Sequence, residues 1–346
     1  MTDIAIRTEG RAGRITLTRE SALNALTWDM VRRIEDALTA WRHDDAVALV
    51  IIDAAGPKAF CAGGDIAEMY ATGTAGDYGY GRRFWRDEYR VNAMIAGYDK
   101  PIVAFMQGFV MGGGVGIGCH ARHRIVCDTT RVALPECGIG LVPDVGSSLL
   151  LARAPGRLGE YLGLTGDRMD AGDAIHAGFA DVMVPQDQWP ALIDSLCATA
   201  ETDAIAGAAR PAPQSKLAAW QGDIDRVFVA PDLATIRSQP DAVPPAPIAH
   251  ALALMDRNAP LSMACALHII RAVRDTPTIQ TALAQEFRFT FRSMEQADFL
   301  EGIRAALIDR DRTPHWQHGD WNVPAAQIAA LTAPLGPDAL TPETPS

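Results

Sequence analysis

Met111-Gly112-Gly113-Gly114-Val115-Gly116-Ile117-Gly118 decides how this chain is read. It follows a short apolar run, Pro101 to Gln107, that reads as a buried strand. It leads into an apolar segment, Val115 to Arg122, that suits a helix. Glycine at this density lets the backbone approach another group closely, because no Cβ intervenes. At a strand-to-helix junction the first helical N–H groups have no intrahelical partner. They can point at an oxygen that carries or develops negative charge. A tight turn that serves packing alone explains the local sequence equally well. No frame gives G-x-G-x-x-G and no Lys-Ser/Thr follows, so neither nucleotide fingerprint is present.

Upstream, Arg14 to Thr18 alternates as a strand, and Thr27 is placed to cap a helix from Trp28 to Trp41. Val47 to Asp53 is a continuous apolar run suited to a fully buried strand. Strand, helix and strand in this order predict a parallel pair with a crossover. Ala59-Phe60-Cys61-Ala62-Gly63-Gly64-Asp65-Ile66 follows, a second run of small residues after a strand, with Asp65 placed to cap a helix. It either aims a second backbone N–H or forms a plain loop-to-helix junction. Tyr78 to Gly97 is helical and carries Glu88, which by its local sequence alone belongs on a solvated face. Gly73 to Gly81 reads as a mobile lid.

Downstream, Arg124 to Asp128 and Arg131 to Leu134 read as short strands. They lead to Leu134-Pro135-Glu136-Cys137-Gly138-Ile139-Gly140-Leu141-Val142-Pro143-Asp144-Val145-Gly146. Two carboxylates, Glu136 and Asp144, stand here among apolar residues, where an acid costs free energy unless it is paired or used. Burial raises a carboxyl pKa and suits it to proton transfer near neutrality. The alternative is a pair of surface or capping acids, with Asp144 capping the helix Val145 to Ala154. Helices follow, and Glu201 to Pro213 and Gln239 to Pro247 read as linkers of a helical C-terminal part. We divide the chain into a core at 1–200, a helical region at 201–323 and a flexible tail at 324–346.

Composition narrows the function. The chain has 346 residues, ample for a large core, and 48% hydrophobic with 21% charged is ordinary for a globular protein. A net charge of −11 argues against nucleic acid, whose backbone needs a basic footprint. No apolar run reaches membrane-span length. No secretory or transit pattern is seen at Met1-Thr2-Asp3-Ile4, which predicts a cytoplasmic protein. The six cysteines form no C-x-x-C pair and read as buried thiols. Cys119-His120-x-x-His123 invites a metal, but no second cluster supplies further ligands, so we expect none.

Together, Ala59 to Ile66, Met111 to Gly116 and Pro135-Glu136-x-x-Ile139-Gly140 resemble the crotonase (enoyl-CoA hydratase/isomerase) superfamily. Within it, Leu141 to Gly146 and Glu301 to Asp311, followed by Pro314-His315-Trp316, look like the 3-hydroxyisobutyryl-CoA hydrolases. The resemblance spans Ile15 to Trp316 and implies an α/β crotonase fold of repeated ββα units with a helical C-terminal region. It implies hydrolysis of a short branched hydroxyacyl-CoA thioester, an intermediate of valine catabolism, with no cofactor beyond the CoA of the substrate. The oxyanion hole would be the N–H groups of Ala62 and Gly113. Glu136 would be the catalytic glutamate, Asp144 the second acid, and Glu88 a substrate contact. The superfamily's hydratases carry a further glutamate where this chain has Gly116, which we read as room for a branched acyl group. Isomerase and hydratase remain the alternatives, and a homo-oligomer is compatible with the superfamily. Two features depart from the pattern: Ser147-Ser148 in place of further glycine, and no lysine in Arg19-Glu20-Ser21-Ala22-Leu23-Asn24.

Overall fold

The computed structural model describes residues 2–239 and 243–341. The N-terminal half is built on two sheets. β2 (Ala12–Leu17) is the first strand expected from sequence, and β1 (Ile4–Glu9), which was not expected, pairs with it as an antiparallel hairpin. α1 (Trp28–Arg42) begins where Thr27 accepts the Met30 N–H, as its N-cap position predicts. β3 (Leu49–Ala54), β5 (Ile102–Met106), β7 (His123–Val126) and β9 (Val182–Met183) then add in parallel. The six strands run in the order β1-β2-β3-β5-β7-β9. β3 and β5 are buried almost throughout, which is why they read as unbroken apolar runs rather than alternating ones.

Three long strands are each followed by a short strand that crosses to a second sheet. These are β4 (Ala59–Cys61), β6 (Phe109–Met111) and β8 (Arg131–Ala133), parallel and in that order. This ββα repetition is the crotonase architecture expected from sequence. β6 was not expected: it separates Gln107 from the glycine stretch and delivers that stretch to the second sheet. α4 (Gly113–Gly118) then starts directly on the glycines. A Cβ on Gly114 would lie 2.3 Å from the Cys61 carbonyl oxygen, so only glycine lets α4 rest on β4. Gly114→Ala is therefore expected to cost roughly 2–4 kcal/mol, read as a lower denaturation midpoint, because the obstructing atom is backbone and cannot rotate away.

α2 (Ala67–Thr74) and α3 (Gly79–Ala96) lie before β5. The lid expected at Gly73 to Gly81 is instead the end of one helix and the start of the next. A Cβ on Gly73 would meet Leu300 Cδ2 at 2.7 Å, and one on Gly81 would meet Met294 Cε at 2.6 Å. These glycines serve close packing rather than mobility.

After β8 the chain is mainly helical: α5 (Ser147–Arg153), α6 (Leu158–Thr165), α7 (Ala171–His176), α8 (Trp189–Thr199), α9 (Ala204–Ala208), α10 (Lys216–Phe228), α11 (Leu233–Ser238) and α12 (Ala246–Met255). α13 (Pro260–Asp275), α14 (Ile279–Gln296) and α15 (Phe299–Ile303) follow. α13 packs on α5 and α6, and α14 on α3, so these helices are part of the core's wall. Part of the expected flexible tail is ordered. α16 (Ala325–Thr332) buries Leu331, and Arg288 and Arg292 of α14 donate to carbonyls of Leu331, Thr332 and Ala333. Positions 240–242 of the second linker and 342–346 of the tail lie outside the described residues.

Candidate active site

The two glycine-bearing turns meet. A Cβ on Gly112 would lie 3.3 Å from Gly63 Cα, and one on Gly113 would lie 3.5 Å from the Gly63 carbonyl carbon. Both turns line a pocket of ≈ 570 Å³ that also takes in Glu88, Glu136, Asp144, Val145, Phe84, Trp85 and Phe299. Size and lining, apolar with a few polar groups converging, suit a small-molecule site. The five residues singled out from sequence, Ala62, Gly113, Glu88, Glu136 and Asp144, thus all reach one pocket.

One of them is corrected in its part. The Ala62 N–H donates to the Leu23 carbonyl at 3.0 Å, so it is already used. The Gly63 carbonyl accepts from the Leu26 N–H at 2.8 Å, and the Asp65 N–H donates back to Leu26. A trans peptide directs its C=O and N–H to opposite sides. The Gly64 N–H therefore points away from Leu26, towards the pocket that Gly64 lines. Across from it, Gly113 is the first residue of α4, where an amide has no intrahelical acceptor.

Glu136 opens a short 3-10 turn, Glu136–Ile139. Two glycines seat that turn on α15: a Cβ on Gly302 would lie 2.1 Å from the Ile139 carbonyl oxygen, and one on Gly140 would lie 2.4 Å from Asp298 backbone. The downstream signature Glu301 to Asp311 thus buttresses Glu136 from behind. Arg304 ties it together by pairing with Glu301, Asp309 and Asp311. Asp144 does not cap the following helix. Its Oδ2 accepts the Tyr89 hydroxyl at 2.8 Å, and its backbone carbonyl accepts the Ser147 N–H.

Glu88 is 3% exposed, against the solvated face its local sequence suggested. α3 turns Glu88 and Asn92 onto the glycine face of α4. Glu88 Oε1 lies 2.7 Å from a Cβ placed on Gly113, and Asn92 Nδ2 2.6 Å from one placed on Gly116. Val145 Cβ lies 2.8 Å from that same point on Gly116. Gly116 therefore admits Asn92 and Val145, not an acyl group as expected. A glutamate there would strike both.

A fourth acid, missed in the sequence, completes the group. Glu286 of α14 is buried and accepts from the Gly146 N–H at 2.7 Å, the Ser148 N–H at 2.9 Å and the Ser148 hydroxyl. None of Glu88, Glu136, Asp144 and Glu286 pairs with a cation among the described residues. Burial pushes all four carboxyls up: Asp144 to about 7, Glu286 to about 8, and Glu88 and Glu136 well above the usual range. The Asp144 charge raises Glu88, Glu136 and Glu286 further. Such a group holds its protons more tightly folded than unfolded. Its contribution to stability is complete below the free carboxyl pKa and is lost as pH rises through the folded value. Thermal stability of the empty protein is therefore expected to fall between about pH 5 and pH 8, and to fall less in Asp144→Asn, read by scanning calorimetry across that range.

His120 Nε2 donates to the Val145 carbonyl at 2.9 Å, so that nitrogen of the candidate metal motif is engaged. All six cysteines are free and buried. Among the described residues no helix is long and apolar enough to cross a membrane.

Comparison with known proteins identifies the family. Residues 12–331 match the family described as enoyl-CoA hydratase/isomerase. The chain belongs to that family. Among its curated relatives is the mitochondrial 3-hydroxyisobutyryl-CoA hydrolase of Rattus norvegicus, 36% identical over 92% of this chain and 85% of the rat protein. Another is 3-hydroxyisobutyryl-CoA hydrolase 1 of Arabidopsis thaliana, 35% identical over 88% and 84%. In the family's solved structures, one named an enoyl-CoA hydratase from Rhodobacter sphaeroides has a TM-score of 0.94 at 54% identity, covering 98% of this chain and all of that one. One named a carnitinyl-CoA dehydratase from Mycobacterium thermoresistibile has 0.93 at 38%, covering all of both. The rat name places that family member in mitochondria, so the comparisons lend the expected cytoplasmic placement no support.

Proposed function

We propose that this chain hydrolyses a short branched hydroxyacyl-CoA thioester, 3-hydroxyisobutyryl-CoA, to the free acid and CoA. The observation that carries this reading is that Glu136 and Asp144 are both buried in one pocket, which Gly64 and Gly113 also line. The thioester carbonyl rests on the Gly64 and Gly113 N–H groups, whose value grows as its oxygen gains charge in the transition state. The carboxylate of Glu136 either attacks the carbonyl carbon, expelling CoA thiolate and leaving a mixed anhydride for water to open, or takes the proton of an attacking water. Asp144, held by Tyr89, orients the water or assists the leaving thiolate. Glu88 Oε1, buried without a partner beside Gly113, accepts from the acyl hydroxyl. Water and the thioester are the only reactants these steps require. The curated relatives named as hydrolases, matched over most of both chains, support the same reaction.

The hydratase name on the Rhodobacter sphaeroides structure sets the alternative, addition of water to an enoyl-CoA. That reaction in the superfamily uses two glutamates, and Asn92 and Val145 occupy the space beside Gly116 where the second would stand. Purified protein given 3-hydroxyisobutyryl-CoA is expected to release free thiol. Hydration of crotonyl-CoA without thiol release would overturn the proposal.

A further inference from the structure

Val145, next to Asp144, has φ 56°. For a β-branched residue this left-handed conformation is a steric outlier that persists only where surrounding contacts impose it. Two contacts do so here, one on each edge of the Val145–Gly146 peptide. His120 Nε2 donates to the Val145 carbonyl at 2.9 Å. Glu286 accepts the next amide, Gly146 N–H, at 2.7 Å, and the Ser148 N–H at 2.9 Å. Glu286 reaches this turn from the C-terminal helix α14. One helical turn on, Thr290 lies 3.5 Å from the Tyr89 hydroxyl that donates to Asp144. Buried carboxyls are costly, and the placement of Glu286 is explained by what it grips: backbone donors of the turn that carries Asp144.

We infer that Glu286 is a positioning residue for the reaction: with His120 it holds the Val145-Gly146 turn in its strained conformation and so aims Asp144 at the scissile thioester. The inference rests on the hydrolase reading above. It makes helix α14 a working part of the site, so that the helical C-terminal region completes the catalytic geometry. The strain has a purpose in this arrangement. Relaxing Val145 towards negative φ would rotate the Asp144–Val145 peptide and withdraw the carboxylate from Tyr89.

Glu286→Gln keeps the side chain's volume and one acceptor but presents an NH₂ to the second backbone donor. It is expected to lower kcat for thiol release about thirtyfold, with KM within about threefold, because orientation of Asp144 is lost while the walls of the pocket stay. Adding Val145→Gly is expected to recover about fivefold of that loss, since glycine adopts positive φ without the clamp. Recovery by a cavity-creating change at a neighbouring residue is not the behaviour of a residue that only packs. If Glu286→Gln fails to fold, Ser148→Ala removes one of the three donors instead. It is then expected to lower kcat about threefold, again recovered by Val145→Gly. A folded variant with kcat within about twofold of wild type, or a double variant without recovery, overturns the inference. Absence of thiol release from the wild-type protein itself overturns the hydrolase reading instead.

Discussion

Glu136→Gln is expected to lower thiol release from 3-hydroxyisobutyryl-CoA by about three orders of magnitude, in line with losing a positioned general base or nucleophile. The substitution is nearly isosteric, and Glu136 Oε2 is buried without a hydrogen-bond partner, so little bonding is forfeited. Burial together with the nearby Asp144 and Glu286 charges holds the Glu136 carboxyl well above the usual range. A neutral amide removes that repulsion, so the variant is expected to melt no lower than the wild type. A loss of rate in a protein of unchanged or higher Tm locates the effect in chemistry. KM is expected to stay within about threefold, because an interaction made only in the transition state acts on kcat. A single turnover in H₂¹⁸O tests the nucleophilic route for Glu136. Label in the Glu136 carboxyl marks a mixed anhydride opened by water at the Glu136 carbonyl, whereas label in the product acid alone marks attack of water at the acyl carbon, which both routes allow. A Glu136→Gln protein with near-wild-type thiol release would remove Glu136 from the mechanism altogether.

Those parts of the fold that local pattern dictates were legible. Continuous Val/Ile/Leu runs marked β3 and β5, and Thr27 marked the start of α1. The convergence of Gly113, Glu136 and Asp144 was legible only because three separated motifs occur together in one chain. What escaped was set by long-range contact. The hydrogen bond from Ala62 N–H to Leu23 brings together residues 23 and 62, and no local pattern shows that it diverts the amide from the pocket. By local pattern alone Glu88 belongs to solvent, as helical glutamates usually do, and only the resemblance made it a substrate contact; the glycine face of α4 is what makes a buried glutamate fit. Gly116 was read as open space, but an absent Cβ can equally be an occupied one, and Asn92 occupies it. The lid expectation failed in the same way, since glycine permits close helix packing as readily as motion. Glu286 did leave a signal. It falls on the stripe Ala282, Leu283, Glu286, Phe287 and Thr290, where an acid on the buried face of an amphipathic helix calls for a partner.

Asp144→Asn is expected to lower kcat by about two orders of magnitude, the lower end of what a positioned acid or base contributes. The fold should hold, because an asparagine carbonyl can still accept the Tyr89 hydroxyl that Asp144 Oδ2 accepts at 2.8 Å. The pH profile separates this loss from a merely structural one. In the wild type the Asp144 charge raises the Glu136 carboxyl, and Glu136 must be ionised to act. Removing that charge lets Glu136 ionise at lower pH, so the acid limb of kcat is expected to move downward even as its plateau falls. The Asp144 carboxyl itself is held up to about 7, chiefly by burial, so a limb near neutrality that belongs to Asp144 should disappear with it. The same Asp144 charge also raises Glu88, so each limb belongs to the group of interacting acids before substitution, and Glu136 and Glu88 are both released from that charge afterwards. An acid limb that stays in place while kcat falls would mean that Asp144 acts through shape alone. A limb that moves as stated shows that its charge and the Glu136 proton form one titrating unit, which a thioester hydrolase can use to hold a base ready and still part with a proton to the departing thiolate.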